Sequence, residues 1–98
     1  MSTETDGAVR LDTARIPAEV LLASEVQWGV PVDVYLIHAA KVGDRYAGVA
    51  YLDQSGVILD GSTVATPPVR AVSKKHDFVL LQTLSGRDHY VIAAWQMA

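Results

Sequence analysis

The stretch VPVDVYLIHAAKVGDRYAGVAYLDQSGVILDG, residues 30–61, decides how this chain is read. It holds three short runs rich in β-branched and aromatic residues. Two breaks separate them, Lys41-Val42-Gly43-Asp44-Arg45 and Asp53-Gln54-Ser55-Gly56. Such runs, punctuated by Gly, Asp and Ser, are the pattern of an antiparallel β-meander. A β-branched side chain fits a pleated surface well and loses rotamer freedom in a helix, so composition and punctuation agree.

Working outward, the spacing predicts strands over residues 32–39, 45–52, 56–59, 69–73, 77–83 and 89–95. Ser85-Gly86-Arg87-Asp88 has the chemistry of a hairpin turn between the last two. Residues 62–68 contain Pro67-Pro68, which has no N–H to give to a ladder and marks a loop or a sheet edge. Upstream, residues 17–28 read as a helix. Pro17 suits the first helical position, Ala18, Leu21, Leu22 and Trp28 fall at helical spacing, and Gly29 with Pro31 ends the run. The alternation of Val26, Trp28 and Val30 leaves a strand open as the rival reading. Residues 1–10 have no periodicity and read as a disordered tail, which leaves residues 11–98 as a single small β domain.

The last two strands carry a second message. In Phe78-Val79-Leu80-Leu81 and in Tyr90-Val91-Ile92-Ala93-Ala94-Trp95 both alternating faces are apolar. A sheet with one face in water would alternate apolar with polar, so both faces need a cover. One short helix covers only part of such a sheet. Self-association through the last strand, with Tyr90, Ile92 and Trp95 at the interface, is the expectation that follows.

Composition narrows the function classes. The 98 residues suffice for one domain with its own core. The chain has no cysteine, which excludes disulfides and thiolate metal sites. No apolar run approaches the roughly 18 residues of a membrane span, and the acidic, polar start has no basic flank or apolar stretch of a secretory signal. A cytoplasmic protein with no membrane partner is the expectation. The net charge of −3 supplies no general attraction to phosphate backbones, so nucleic acid would need a local patch.

Chemical motifs are scarce. No Gly-rich phosphate loop, nucleophile elbow or His-Glu-x-x-His helix occurs. His38, His76 and His89 lie far apart in sequence and read as strand-end or rim residues. Lys74-Lys75-His76-Asp77 reads as a charged, solvated turn guarding a hydrophobic strand. Asp44, Asp53, Asp60 and Asp88 sit in turn contexts, where a short carboxylate bonds the backbone, and no pair stands out for acid–base work. The tyrosines at 35, 46, 51 and 90 fit cross-strand packing, with base stacking as the sharper alternative. No enzyme activity, cofactor or metal is implied.

One family resemblance stands on particular residues. Val30-Pro31-Val32-Asp33-Val34-Tyr35-Leu36-Ile37 is similar to the Val-Pro-Val-x-Ile-Tyr-Leu-Val first strand of the Sm-like family, in particular its bacterial Hfq branch. Leu52-Asp53-Gln54 followed by Val57-Ile58-Leu59 resembles the family's Phe-Asp-Gln-Phe-Val-Ile-Leu segment. Together these span residues 30–59. The resemblance implies a small barrel that forms a ring, and RNA as a ligand. Residue by residue it implies distal-face base stacking by Tyr35, a place near that face for Lys41, and a proximal-site position for Gln54. His38-Ala39-Ala40 replaces the family's first-turn glycine, and the Tyr-Lys-His-Ala pore motif is not found.

The expected fold is therefore a mostly β domain, a small antiparallel β-barrel or β-roll of Sm-like or SH3-like type with one N-terminal helix. The expected function is a non-enzymatic binding or assembly module, homo-oligomeric, with a protein partner open. An Sm-like RNA-binding protein is one alternative. A small-ligand-binding or enzymatic barrel, marked by His38 or His89 beside a carboxylate in a pocket, is the other.

Overall fold

The computed structural model describes residues 16–97, so the tail expected over residues 1–10 lies outside the described residues. The elements are α1 (Ala18–Ser24), β1 (Val34–Val42), β2 (Arg45–Tyr51), β3 (Ser62–Ala65), β4 (Val69–Lys75), β5 (Phe78–Thr83) and β6 (His89–Ile92). The strands form one six-stranded sheet in the order β3-β2-β1-β6-β5-β4. The mostly β character with one helix matches the sequence pattern. Two features of the expectation change. The sheet is mixed, because β1 and β6 run parallel, Val34 beside Tyr90 and Leu36 beside Ile92. Nor is it closed into a barrel, since β3 and β4 stand at its two ends without pairing to each other.

The connection between β3 and β4 accounts for this arrangement. Thr66 donates its N–H to the Tyr46 carbonyl at 2.8 Å, and its buried hydroxyl accepts the Tyr46 N–H at 3.0 Å. Val69 then donates to the Asp44 carbonyl at 2.8 Å. The chain thus crosses the start of β2, and Pro67, which has no donor to satisfy, sits at the crossing. The second meander, β4-β5-β6, is delivered so that its last strand lies against β1. That placement explains the two-sided apolar pattern. β5 and β6 are interior strands covered on both faces, and such strands read as continuous hydrophobic runs.

Local sequence sets the bends. Gly43 has φ +65° at the first central position of the two-residue β1–β2 turn, where glycine supplies the backbone twist a tight hairpin needs. Further back, Ile37 pairs with Val49 but Ala40 pairs with Ala47, so Gly48 faces two residues, His38 and Ala39. This is a β-bulge, with His38 in the left-handed region at φ 54°. The bend lets β1 keep hydrogen-bonding the residues that follow β6. Ala39 donates to Ala94 at 3.1 Å and accepts from Gln96 at 2.9 Å.

Residues 56–59, expected as a strand, are a loop. The carboxylate of Asp53 accepts the Ile58 N–H and the Ser55 hydroxyl at 2.8 and 2.7 Å, and Asp60 accepts the Leu52 N–H at 2.8 Å. Side-chain acceptors thereby satisfy donors that a ladder would otherwise take. The strand comes later, at β3, within the segment expected as a loop or sheet edge.

The helix is shorter than expected, seven residues rather than the span 17–28. Its end is held by the buried Trp28, whose indole Nε1–H donates to the Ala23 carbonyl at 3.2 Å. The inward face also differs. Val20 and Ala23 are buried, packing with Trp28, Ile37, Leu80, Val91 and Ala93, whereas Leu21 and Leu22 remain 48% and 56% exposed. On the other face of the sheet lie Ala39, Tyr46, Val69, Leu81 and Ile92, continued by Val34, Leu36 and Ala50.

Candidate functional site

Two concave places are built by segments distant in sequence. The first forms around Asp33, just before β1. Its N–H donates to the His89 carbonyl, its Oδ2 accepts the His89 N–H, and its carbonyl accepts the Gln54 N–H, each at 2.8 Å. One aspartate therefore ties the β2–β3 loop and the start of β6 to β1. The β5–β6 turn is fixed separately: the buried Thr83 hydroxyl accepts the N–H groups of Arg87 and Asp88 at 3.2 and 3.1 Å. The result is an open cleft of about 480 Å³ lined by Pro31, Asp33, Gln54, Ser55, Arg87 and His89.

The electrostatics at this end are mixed. Tyr90 lies beside the cleft, and its phenol is raised above the ordinary value of 10.0 by burial first and then by Asp88, Asp33 and Asp53. The Asp53 carboxyl is held below the usual carboxylate range, chiefly by the Ile58 N–H and then by the Ser55 hydroxyl. Its lone pairs are engaged in holding its own loop, as is its hydroxyl neighbour Ser55. The His89 ring lies against the Gln82 side-chain amide at 3.4 Å. The polar groups here can bind and orient a ligand, and no base–nucleophile pair is formed by these contacts.

The second place is an apolar groove of about 640 Å³ between the end of α1 and the β4–β5 turn, lined by Leu22, Glu25, Val26, Gln27, Lys75, His76 and Phe78. The β4–β5 turn has His76 and Asp77 both at positive φ, 53° and 70°, conformations that suit a tight hairpin and that these two residue types tolerate. Its base is latched to the helix end. Lys75 donates to the Gln27 carbonyl at 2.6 Å, and its ammonium lies 5.8 Å from the centre of the Trp28 ring. The turn expected to be merely solvated thus carries one lysine with a fixed structural contact, worth about 0.5–1 kcal/mol as a cation–π pair near the surface.

The residues singled out in the sequence are distributed over several surfaces. Gln54 lines the Asp33 cleft. Tyr35 is half-buried on the helix side of the sheet, opposite Tyr51 on β2, and burial raises its phenol above 10.0. Lys41 is exposed six residues further along β1, roughly 20 Å away at the rise of a strand. Tyr35 and Lys41 therefore lie near opposite ends of β1, and Gln54 is tied to Asp33 just before its start. Ile92 is fully buried, and β6 has β1 on one side and β5 on the other. Tyr90 is partly buried against both clusters of that face, while Trp95 is 46% exposed with its ring tilted on Tyr46 at 6.0 Å between centroids.

His38 is exposed at the bulge, His89 stands beside Asp33 in the cleft, and His76, at the hairpin tip, lines the groove that Glu25 also lines. Among the described residues no group of three or more His, Asp or Glu is arranged to hold a metal ion. No described helix is long and apolar enough to cross a membrane. Sequence reading missed Asp33 as a junction and missed the groove altogether. Compared with protein-family models, curated proteins and solved structures, the chain gives no match.

Proposed function

We propose that this chain is a non-enzymatic binding and assembly module that associates with copies of itself. The observation that carries the reading is the apolar surface left outside the core at α1. Leu21 and Leu22 stand largely in water, and Leu22 lines a groove with Val26 and Phe78. Leaving such side chains exposed forgoes about 25 cal/mol for each Å² of apolar area, and a protein partner recovers it. The carboxylates at the Asp33 junction support the non-enzymatic half of the reading, since they act as acceptors for backbone donors. In this proposal the protein works in the cytoplasm. Light scattering coupled to size exclusion tests it: a concentration-dependent mass above that of one chain is expected, and one-chain mass at submillimolar concentration refutes it.

A second reading is favoured by a different observation. The Asp33 cleft brings Gln54, Arg87 and His89 beside a carboxylate, which supports binding of a small polar ligand. The Sm-like alternative with RNA has the resemblance over residues 30–59 and the cations Arg70, Lys74 and Lys75 of β4 in its favour. Against it stand the net charge of −3 and the missing pore motif. Fluorescence anisotropy with A-rich and U-rich oligonucleotides at low salt separates the two, because phosphate contacts make affinity fall steeply with added salt.

A further inference from the structure

We infer that the groove between α1 and the β4–β5 turn is the seat of a second copy of this chain, docked about a two-fold axis. The inference rests on the proposed self-association and assigns it a surface. The groove has a polarity of its own. Its helix wall carries Glu25, and the helix itself has no basic residue. Its hairpin wall carries Lys75 and His76, Val26 and Phe78 lie between the walls, and Leu22 stands on the rim.

A two-fold axis running along the groove, parallel to its walls, brings each wall against its opposite in the other copy. Glu25 of one copy meets the Lys75–His76 wall of its mate, and the reverse contact forms at the same time. Isologous interfaces require this self-complementarity, and a groove with one acidic and one basic wall possesses it. Leu22 supplies the shape. It is exposed on the rim beside a cavity of about 640 Å³, so the leucine of each copy enters the groove of the other. The sheet edges fit this role less well. β4 carries Arg70, Lys74 and Lys75 with a bulge at Val72, devices that discourage strand addition. β3 offers only four residues, and β6 lies inside the sheet.

The test compares the full chain with Leu22→Glu, Glu25→Lys and Leu59→Glu by sedimentation velocity across a concentration series, with circular dichroism to verify folding. Leu22, Glu25 and Leu59 are all exposed, so each variant keeps the fold; Leu59 lies outside the groove as a control. The expected result is a dimer for the parent chain and for Leu59→Glu, a monomer for Leu22→Glu, and an affinity lowered at least tenfold for Glu25→Lys. A dimer unaffected by Leu22→Glu overturns the groove assignment and leaves self-association standing. A parent chain that stays monomeric overturns both. A species larger than a dimer overturns the two-fold arrangement.

Discussion

Replacing Gly48 by alanine tests the bend on which the whole sheet depends. The new Cβ would stand 2.9 Å from the Ile37 carbonyl oxygen, with the Ala39 Cα and the Leu36 Cβ both at 3.5 Å. The nearest atom is backbone, in a strand hydrogen-bonded to β2 on one side and β6 on the other, so no flexible side chain can swing away. Relief requires shifting β1 against β2 at the bulge, where Gly48 faces both His38 and Ala39. Overpacking of this kind costs about 1–3 kcal/mol. For a domain of this size each kcal/mol moves the melting temperature by roughly 4–8 °C, so a cost near 2 kcal/mol lowers it by about 8–16 °C. Urea unfolding followed by tryptophan fluorescence measures the change, with an unchanged slope showing that the same surface is exposed. Gly43→Ala is the comparison: nothing lies within 4 Å of its Cβ, so its cost comes only from the positive φ. A Gly48→Ala loss below about 0.5 kcal/mol, within the scatter of surface substitutions, would refute the bulge geometry.

Three further outcomes follow from the same contacts. Asp33→Ala removes the acceptor of the His89 N–H, which should cost about 1–3 kcal/mol and speed amide exchange at His89; unchanged exchange there would dismiss the junction. For Asp53, whose folded carboxyl lies below the usual range, the contribution to stability is present above the unfolded carboxylate value and is lost as pH falls through the folded one. The melting temperature of the parent chain should therefore fall more steeply with acid than that of Asp53→Asn, and parallel curves would contradict this. Tyr35 and Tyr90, both raised, bind their protons more tightly when folded, so their contribution is present below about pH 10 and fades as pH rises beyond it. Absorbance titration at alkaline pH should show both ionising late; salt should lower Tyr90, which feels three carboxylates, and leave Tyr35, which is shifted by burial alone.

Much of the sheet was legible because its signals are local. Five of the six strands fall where β-branched runs and turn residues placed them, and Gly43-Asp44 marked its hairpin. Val57-Ile58-Leu59 misled because composition alone suits a strand, yet Val57 and Leu59 are 80% and 75% exposed. What decides that segment is two carboxylates, Asp53 and Asp60, bonding backbone donors up to eight residues away. The apolar faces of Tyr90 to Trp95 correctly signalled double coverage. One face is covered from within the chain by α1, through Val20 and Ala23, while the edge of β6 pairs with a parallel neighbour 56 residues upstream, as Val34 and Tyr90 show. Long-range pairing of that kind leaves no local trace. The candidate sites were the least legible part: Gln54 was found, but Arg87 and Asp33 join it only through three loops meeting in space.

The central claim, that this chain binds its own kind through the α1 groove, is tested most directly by a dilution series of amide proton–nitrogen NMR spectra. On dilution the resonances of Leu21 to Gln27 and of Lys75 to Phe78 should shift together along one binding curve, while line widths narrow toward those of a single chain. Spectra that do not change with concentration, with tumbling of a single chain throughout, would contradict the claim.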